Sequence, residues 1–138
     1  MEHELYAKIG VSKIDIGGVG VIALKKIPKG TYPFQRKNPL KGHWVQEEDL
    51  PKNLEERQHV LGFCPLVSKA NGKKWSFIPK NGFNAKDISF YMNHCENPNL
   101  TEGFALNQDL NGFQDFVVVR DIEKGEELCI NYNSYKSN

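Results

Sequence analysis

The sequence predicts a mainly β protein made of several small sheets, with a short helical insert. Three observations carry that prediction. The apolar stretches are short, rich in Val and Ile, and bounded by glycine, proline or Asn-Gly pairs, which is strand-and-turn punctuation. One strand–turn–strand phrase is written twice, once near each end of the chain. Helix start signals gather in one place only, in the middle. With 138 residues, the chain fits a single domain, 1–138, around one core.

Leu5 to Ile9 and Val19 to Leu24 are the first two strands, separated by Asp15-Ile16-Gly17-Gly18. Gly18-Val19-Gly20 stands at the start of the second. Two glycines so placed let the backbone bend and let another group approach the main chain. A lone Gly-x-Gly occurs in any tight hairpin, and no helix pattern follows to make it a dinucleotide fingerprint. The repeated phrase comes next: Leu24-Lys25-Lys26-Ile27-Pro28-Lys29-Gly30 near the start, Val119-Arg120-Asp121-Ile122-Glu123-Lys124-Gly125 near the end. Gly30 and Gly125 supply the turns. Two copies are too few for a solenoid and imply two similar units in one β body.

Residues of about 35–85 form an insert of different character. Glu47-Glu48-Asp49-Leu50-Pro51 is a helix start, with acids where the N-terminal dipole favours them. Leu54, Arg57, Gln58 and Leu61 give only a thin stripe, so the helix is short and shallow, ending at Gly62. Cys64 to Val67 and Trp75 to Ile78 flank Asn71-Gly72, a hairpin signal. The insert carries both Trp and five acids: Glu47, Glu48, Asp49, Glu55 and Glu56. Such a patch is solvated surface or an acidic groove for a basic peptide. Further on, Leu100 to Leu110 and Phe113 to Ile122 pair around Asn111-Gly112, and Glu127 to Tyr132 is the final strand.

Net charge is +1, which disfavours a nucleic-acid binder, since such domains usually carry a basic excess. Three cysteines (Cys64, Cys95, Cys129), odd in number and widely spaced, fit free thiols in a reducing compartment better than a disulfide framework. No Cys-x-x-Cys pair occurs, so no structural zinc is expected. Met1 to Lys8 holds no apolar run, and no 18-residue apolar segment exists. The expectation is a soluble, intracellular protein.

The chain is organised around Phe90-Tyr91-Met92-Asn93-His94-Cys95-Glu96-Asn97-Pro98-Asn99. An apolar anchor enters the core and gives way to a rigid polar loop, with Pro98 fixing φ and the asparagines supplying hydrogen bonds. Taken with the two ends, this loop resembles that of the SET domain, the fold of one class of protein lysine methyltransferases. Gly18-Val19-Gly20, Ala23 and Ile27-Pro28-Lys29-Gly30 are similar to the family's N-terminal glycine motif and the turn after it. Asn93 to Asn99 is similar to its Asn-His-Ser-Cys-x-Pro-Asn loop. Gly125-Glu126-Glu127-Leu128 followed by Tyr132 is similar to its Gly-Glu-Glu-Leu-x-x-x-Tyr strand. The match covers roughly 15–34 and 86–132, and the small size resembles compact members, viral ones included, that lack zinc-binding flanks. There are departures. Cys95 replaces the family's Ser and Glu96 its Cys, which in many chromatin enzymes helps bind zinc with a later Cys-rich segment. Ile130 stands where an aromatic residue often sets how many methyls are added, and Asn131 stands where Asp is common.

The resemblance implies a β-clip of small sheets with a knot-like C-terminal crossing. That crossing would bring Asn93 and His94 beside Tyr132, 39 positions after Asn93. It implies S-adenosylmethionine as cofactor, held by Gly18, Val19, Gly20, Asn93 and His94. It implies Tyr132 as the catalytic residue, Tyr91, Ile130 and Tyr135 around the substrate lysine, and no metal. The implied reaction transfers a methyl to a lysine amine. The lysine must be neutral, and with a reference pKa near ~10.4 deprotonation costs roughly 3 kcal/mol at pH ~8. A phenol with pKa near ~10 orients and polarises more than it acts as a base.

The implied partner is a protein with a target lysine, a basic histone-like tail suiting the five acids clustered in the insert, and the location nuclear in that case. No direct nucleic-acid or membrane partner is implied, and a homodimer stays open. Three rival readings compete: a catalytically weak SET-like module that binds peptide or cofactor, favoured by Glu96, Ile130 and Asn131; a β-barrel for single-stranded nucleic acid, disfavoured by charge; and a Cys-His hydrolase, disfavoured because adjacent His94 and Cys95 rarely face one substrate.

Overall fold

The computed structural model describes residues 4–35, 40–68, 72–79, 82, 86–103, 112–113 and 115–132. Its strands are β1 (Ala7–Val11), β2 (Val19–Ala23), β3 (Leu40–Gln46), β4 (Val67–Ser68), β5 (Lys74–Pro79), β6 (Asn93–His94), β7 (Leu100–Gly103), β8 (Gly112–Phe113), β9 (Asp115–Val118) and β10 (Glu127–Ile130). One α-helix, α1 (Leu54–Phe63), lies in the insert. The strands form three small sheets, in the orders β1-β2-β10-β6, β4-β5-β3-β8 and β7-β9. None of these closes into a barrel, so the mainly β prediction holds.

The two repeated phrases meet in the core. Ile27 and Ile122 bridge each other. Ile27 N–H donates to the Ile122 carbonyl at 2.8 Å and the reverse bond is 2.9 Å. Gly30 N–H donates to the Val118 carbonyl, and Gly125 N–H to the Ala23 carbonyl. Each bond has its counterpart 95 positions along, so the units are related by a local pseudo-twofold. Both turn glycines have positive φ, 90° and 86°, where a side chain would be strained. Ile27 and Ile122 are fully buried, each worth about 1.5–3 kcal/mol of apolar burial. Around them pack Val21, Ala23, Leu100, Phe116, Val118 and Leu128.

The helix begins later than predicted. Glu47–Asp49 is a single 3-10 turn, and α1 starts at Leu54, where the Asn53 side chain accepts from Glu56 N–H at 3.0 Å. Pro51 is the reason. It disfavours helical backbone at Leu50, which is extended (ψ 161°), so the chain restarts at the better cap. The end also shifts: Gly62 lies inside α1, and Cys64 caps it. No α1 residue is buried, as its thin apolar stripe implied.

The insert builds its own sheet. β4 and β5 pair antiparallel, with Gly72 at φ 78° in the connection; Asn71 lies outside the described residues. β5 pairs with β3, and β3 takes its other neighbour, β8, from beyond the central loop. β7 and β9 pair with Leu100 opposite Val118, as predicted for the 100–122 stretch, but β8 leaves that hairpin to join β3; Asn111 lies outside the described residues.

One strand pair is parallel. β10 lies between β2, antiparallel, and β6, parallel, with Cys129 opposite Asn93 and Ile130 opposite His94. This crossing has a consequence the cysteine count missed. It seats Cys95 and Cys129 with Cα atoms 5.9 Å apart, and they form a disulfide. The prediction of three free thiols therefore holds for Cys64 alone.

Candidate active site

Tyr132 lies just past the end of β10, where ladder pairing has stopped. Two bonds to one short segment fix it. Its backbone N–H donates to His94 Nδ1 at 3.0 Å, and its hydroxyl donates to the Met92 carbonyl at 2.6 Å. The parallel pair makes both possible, so Asn93 and His94 do stand beside Tyr132. Burial pushes the phenol up to about 12, with the Asp15 charge adding to it. Tyr132 is thus a protonated phenol at any working pH. Its proton is committed to Met92, which leaves the oxygen lone pairs to accept from a substrate.

On one side of Tyr132 lies a polar frame. The Glu127 carboxylate is buried and accepts from Ser12 Oγ at 2.8 Å, Lys13 N–H at 2.8 Å and Asn93 Nδ2 at 2.9 Å. Asn93 Nδ2 also reaches Ser12 Oγ and the Val19 carbonyl, each at 3.0 Å. Ser12 Oγ in turn accepts from Ile14 and Asp15 N–H, closing the 12–18 turn. The glycines fit this crowding. A Cβ on Gly20 would stand 2.4 Å from Glu127 Oε2, and one on Gly18 would stand 2.1 Å from Asp15 Oδ2. Their role is close approach; the positive φ of this turn falls on Gly17. Sequence reasoning missed Ser12 and Glu127, although Glu127 sat inside a quoted motif.

On the other side lies an apolar cavity of about 50 Å³. One water needs roughly 10–15 Å³ of such space, so the cavity has room for a small group of atoms. The insert supplies Trp44, Phe63, Cys64, Pro65, Val67 and Phe77; the central segment supplies Ser89, Phe90 and Met92; Phe116, Ile130 and Tyr132 complete it. No charged side chain lines it among the described residues. Burial pushes the Cys64 thiol up to about 11, so it is an inert apolar wall group.

Of the residues named for the substrate, Ile130 lines the cavity. The wall is built by Phe90 rather than Tyr91, because Tyr91 turns to pack on Phe63 with ring centroids 5.1 Å apart. Tyr135 lies outside the described residues. Trp44, a channel or rim candidate on the resemblance, lines the cavity, whereas Phe63, Phe77 and Phe90 were identifiable in the sequence only as large apolar residues.

Of the residues named for a cofactor, Asn93 has its amide oxygen without a partner among the described residues; the Asp15 carboxylate, which sequence reasoning did not name, likewise has no hydrogen-bond donor among them. Both flank the Gly18–Gly20 strand. Two free acceptors beside the Gly18–Gly20 backbone, where Val19 is exposed and Gly20 buried, fit a cationic ligand carrying an ammonium or sulfonium group. The His94 ring is already engaged at both nitrogens, by Tyr132 and by Glu96, so only its backbone is left for a ligand.

The sequence profile of the SET domain matches residues 18–133, well over half of the chain. No curated protein matches by sequence. Among solved structures, the chain is similar to a Plasmodium falciparum protein proposed to be a histone methyltransferase. The identity is 22% and the TM-score 0.57, over 96% of this chain and 97% of that one. It is also similar to the methyltransferase domain of human PR domain-containing protein 2, at 20% identity and TM-score 0.56, over 99% and 80%. A third similar structure is the Chaetomium thermophilum Polycomb Repressive Complex 2 in an autoinhibited conformation bound to S-adenosylmethionine. There the identity is 19% and the TM-score 0.58, over 94% of this chain but only 15% of that one.

Proposed function

The chain belongs to the SET-domain family, and from that premise we propose that it is an S-adenosylmethionine-dependent protein lysine N-methyltransferase acting on a basic, histone-like tail. The observation that carries the proposal is the placing of the Tyr132 hydroxyl. Tyr132 lines an uncharged, apolar cavity, and its hydroxyl is held by the Met92 carbonyl, the residue before Asn93 of the polar frame. A lysine fits such a cavity: its four methylenes are apolar, and its amine loses its proton more readily where no charge or water solvates the ammonium.

Gly18, Val19, Gly20, Asn93 and the His94 backbone would hold the cofactor, whose sulfonium supplies the methyl. Asn93 Oδ1 and the Asp15 carboxylate would take its positive groups. Tyr132 does not act as the base, since its phenol stays protonated below pH about 12. Its oxygen instead orients the amine, and alignment of this kind supplies roughly 7–11 kcal/mol of barrier lowering. Backbone carbonyls nearby add weak CH···O contacts. The exposed acids Glu47, Glu48, Asp49, Glu55 and Glu56 sit on the insert that also supplies Trp44 and Phe63 to the cavity. Clustered within 47–56 of an insert that also holds nine Lys and Arg over 35–85, these acids would give a local contact for a Lys- or Arg-bearing segment. With a histone as substrate, the working location is the nucleus.

The test is transfer of labelled methyl from S-adenosylmethionine to a panel of core histones, with the modified lysine located by mass spectrometry. Lysine labelling supports the proposal. Cofactor binding by calorimetry without transfer to any basic protein would favour the weak binding module. Absence of both transfer and cofactor binding would overturn the functional reading.

A further inference from the structure

Glu96 stands where the family has cysteine, and the structure gives it a definite contact. Its carboxylate Oε1 lies 3.1 Å from His94 Nε2. The other ring nitrogen, Nδ1, accepts the Tyr132 backbone N–H at 3.0 Å. An imidazole nitrogen that accepts carries no proton, so His94 is neutral with its proton on Nε2, and that proton points at Glu96. The result is a three-member chain from Glu96 through His94 to the Tyr132 backbone.

The chain matters because of where Tyr132 sits. β10 ends at Ile130, whose carbonyl takes the last crossing bond, from Cys95 N–H at 2.9 Å. Beyond it, the Tyr132 main chain relies on His94. The Tyr132 ring itself is the other group facing the imidazole, with centroids 5.2 Å apart. A ring that turned about χ2 would withdraw Nδ1 from the N–H. The carboxylate at the far nitrogen holds it against that turn.

From this juxtaposition we propose that Glu96 is a positioning residue for the methyl-transfer site. By fixing the orientation and tautomer of His94 it sets the backbone of Tyr132, and so the place of the hydroxyl. The catalytic consequence rests on the function proposed above; the orientation itself does not, and the two are measured separately. Glu96 is solvent-exposed (88% of its side chain), so the effect is modest.

The experiment compares wild type, Glu96→Ala and Glu96→Gln by amide hydrogen exchange at Tyr132, by imidazole 15N shifts of His94, and by kcat and KM. In Glu96→Ala, Tyr132 exchange speeds up about threefold, as for loss of an exposed pair. The imidazole shifts also move toward the averaged values of a ring in two orientations, and kcat falls in step while KM holds. Glu96→Gln restores all three, because its amide oxygen accepts from Nε2–H. Wild-type exchange and shifts in Glu96→Ala would overturn the proposal, as would failure of Glu96→Gln to restore them. Neither readout requires turnover, so an inactive wild type would sink the functional reading without deciding this one.

Discussion

The two sides of Tyr132 are built by opposite means. On the polar side, Ser12, Glu127 and Asn93 are fixed by named hydrogen bonds, and the glycines leave room for their crowding. On the apolar side, aromatic and aliphatic groups from the insert, the central segment and the later strands line a cavity that no charged group lines among the described residues. A hydrogen-bonded frame demands particular residue types at particular positions. An apolar wall demands volume, and many residues supply it. The first side therefore leaves motifs in a sequence, and the second leaves only hydrophobicity.

The sharpest way to break the comparison is at the crossing that joins the sides. Reducing the Cys95–Cys129 disulfide reopens a loop of 34 positions, which on the chain-entropy account costs about 3–4 kcal/mol. Urea unfolding with and without reductant measures it. Equal midpoints would mean that the strand pairing alone holds the crossing.

Tyr132→Phe comes next. It removes the oxygen from between the two sides while keeping the ring, and methyl transfer should fall about a hundredfold, as for loss of one polar group aimed at the reacting atoms. The same variant sharpens the assignment through pH. The Tyr132 phenol titrates near 10 unfolded and about 12 folded. Between those values the unfolded state loses its proton first, so wild-type stability falls as pH rises from 10 to 12, by roughly 2–3 kcal/mol in all. The phenylalanine variant should lack that part of the alkaline loss.

Gly20→Ala probes the polar frame. Its Cβ would meet Glu127 Oε2 at 2.4 Å, an oxygen already held by Ser12 and Asn93, so the frame must shift, at about 1–3 kcal/mol. Gly62→Ala, an exposed helical position with nothing near its Cβ, should stabilise by up to about 1 kcal/mol. If thermal melts rank the two alike, close packing is not what Gly20 serves.

What the sequence made legible follows the same division. The doubled turn phrase was plain in Ile27-Pro28-Lys29-Gly30 and Ile122-Glu123-Lys124-Gly125, although the reciprocal bonding of the copies needed coordinates. The central loop and final strand announced Asn93, His94 and Tyr132, because hydrogen-bonding side chains and a turn proline are distinctive. The disulfide was not legible. Cys95 and Cys129 become neighbours only through a parallel pairing between segments 34 positions apart, which no local pattern encodes. The helix starts at Leu54 rather than Glu47 because the backbone constraint of Pro51 outweighs the dipole preference of three acids. Phe90 and Tyr91 are adjacent and alike in character, and local periodicity could not say which would face the cavity.

The most direct test of the account is a paired measurement on wild type and Tyr132→Phe: methyl transfer from labelled S-adenosylmethionine to core histones, and cofactor binding by calorimetry. The account predicts that the variant binds cofactor within about threefold of wild type while transfer falls about a hundredfold, since on the proposed function Tyr132 would contact the reacting atoms and the polar frame would hold the cofactor. Undiminished transfer by Tyr132→Phe would contradict it, and would place the chemistry elsewhere in the molecule.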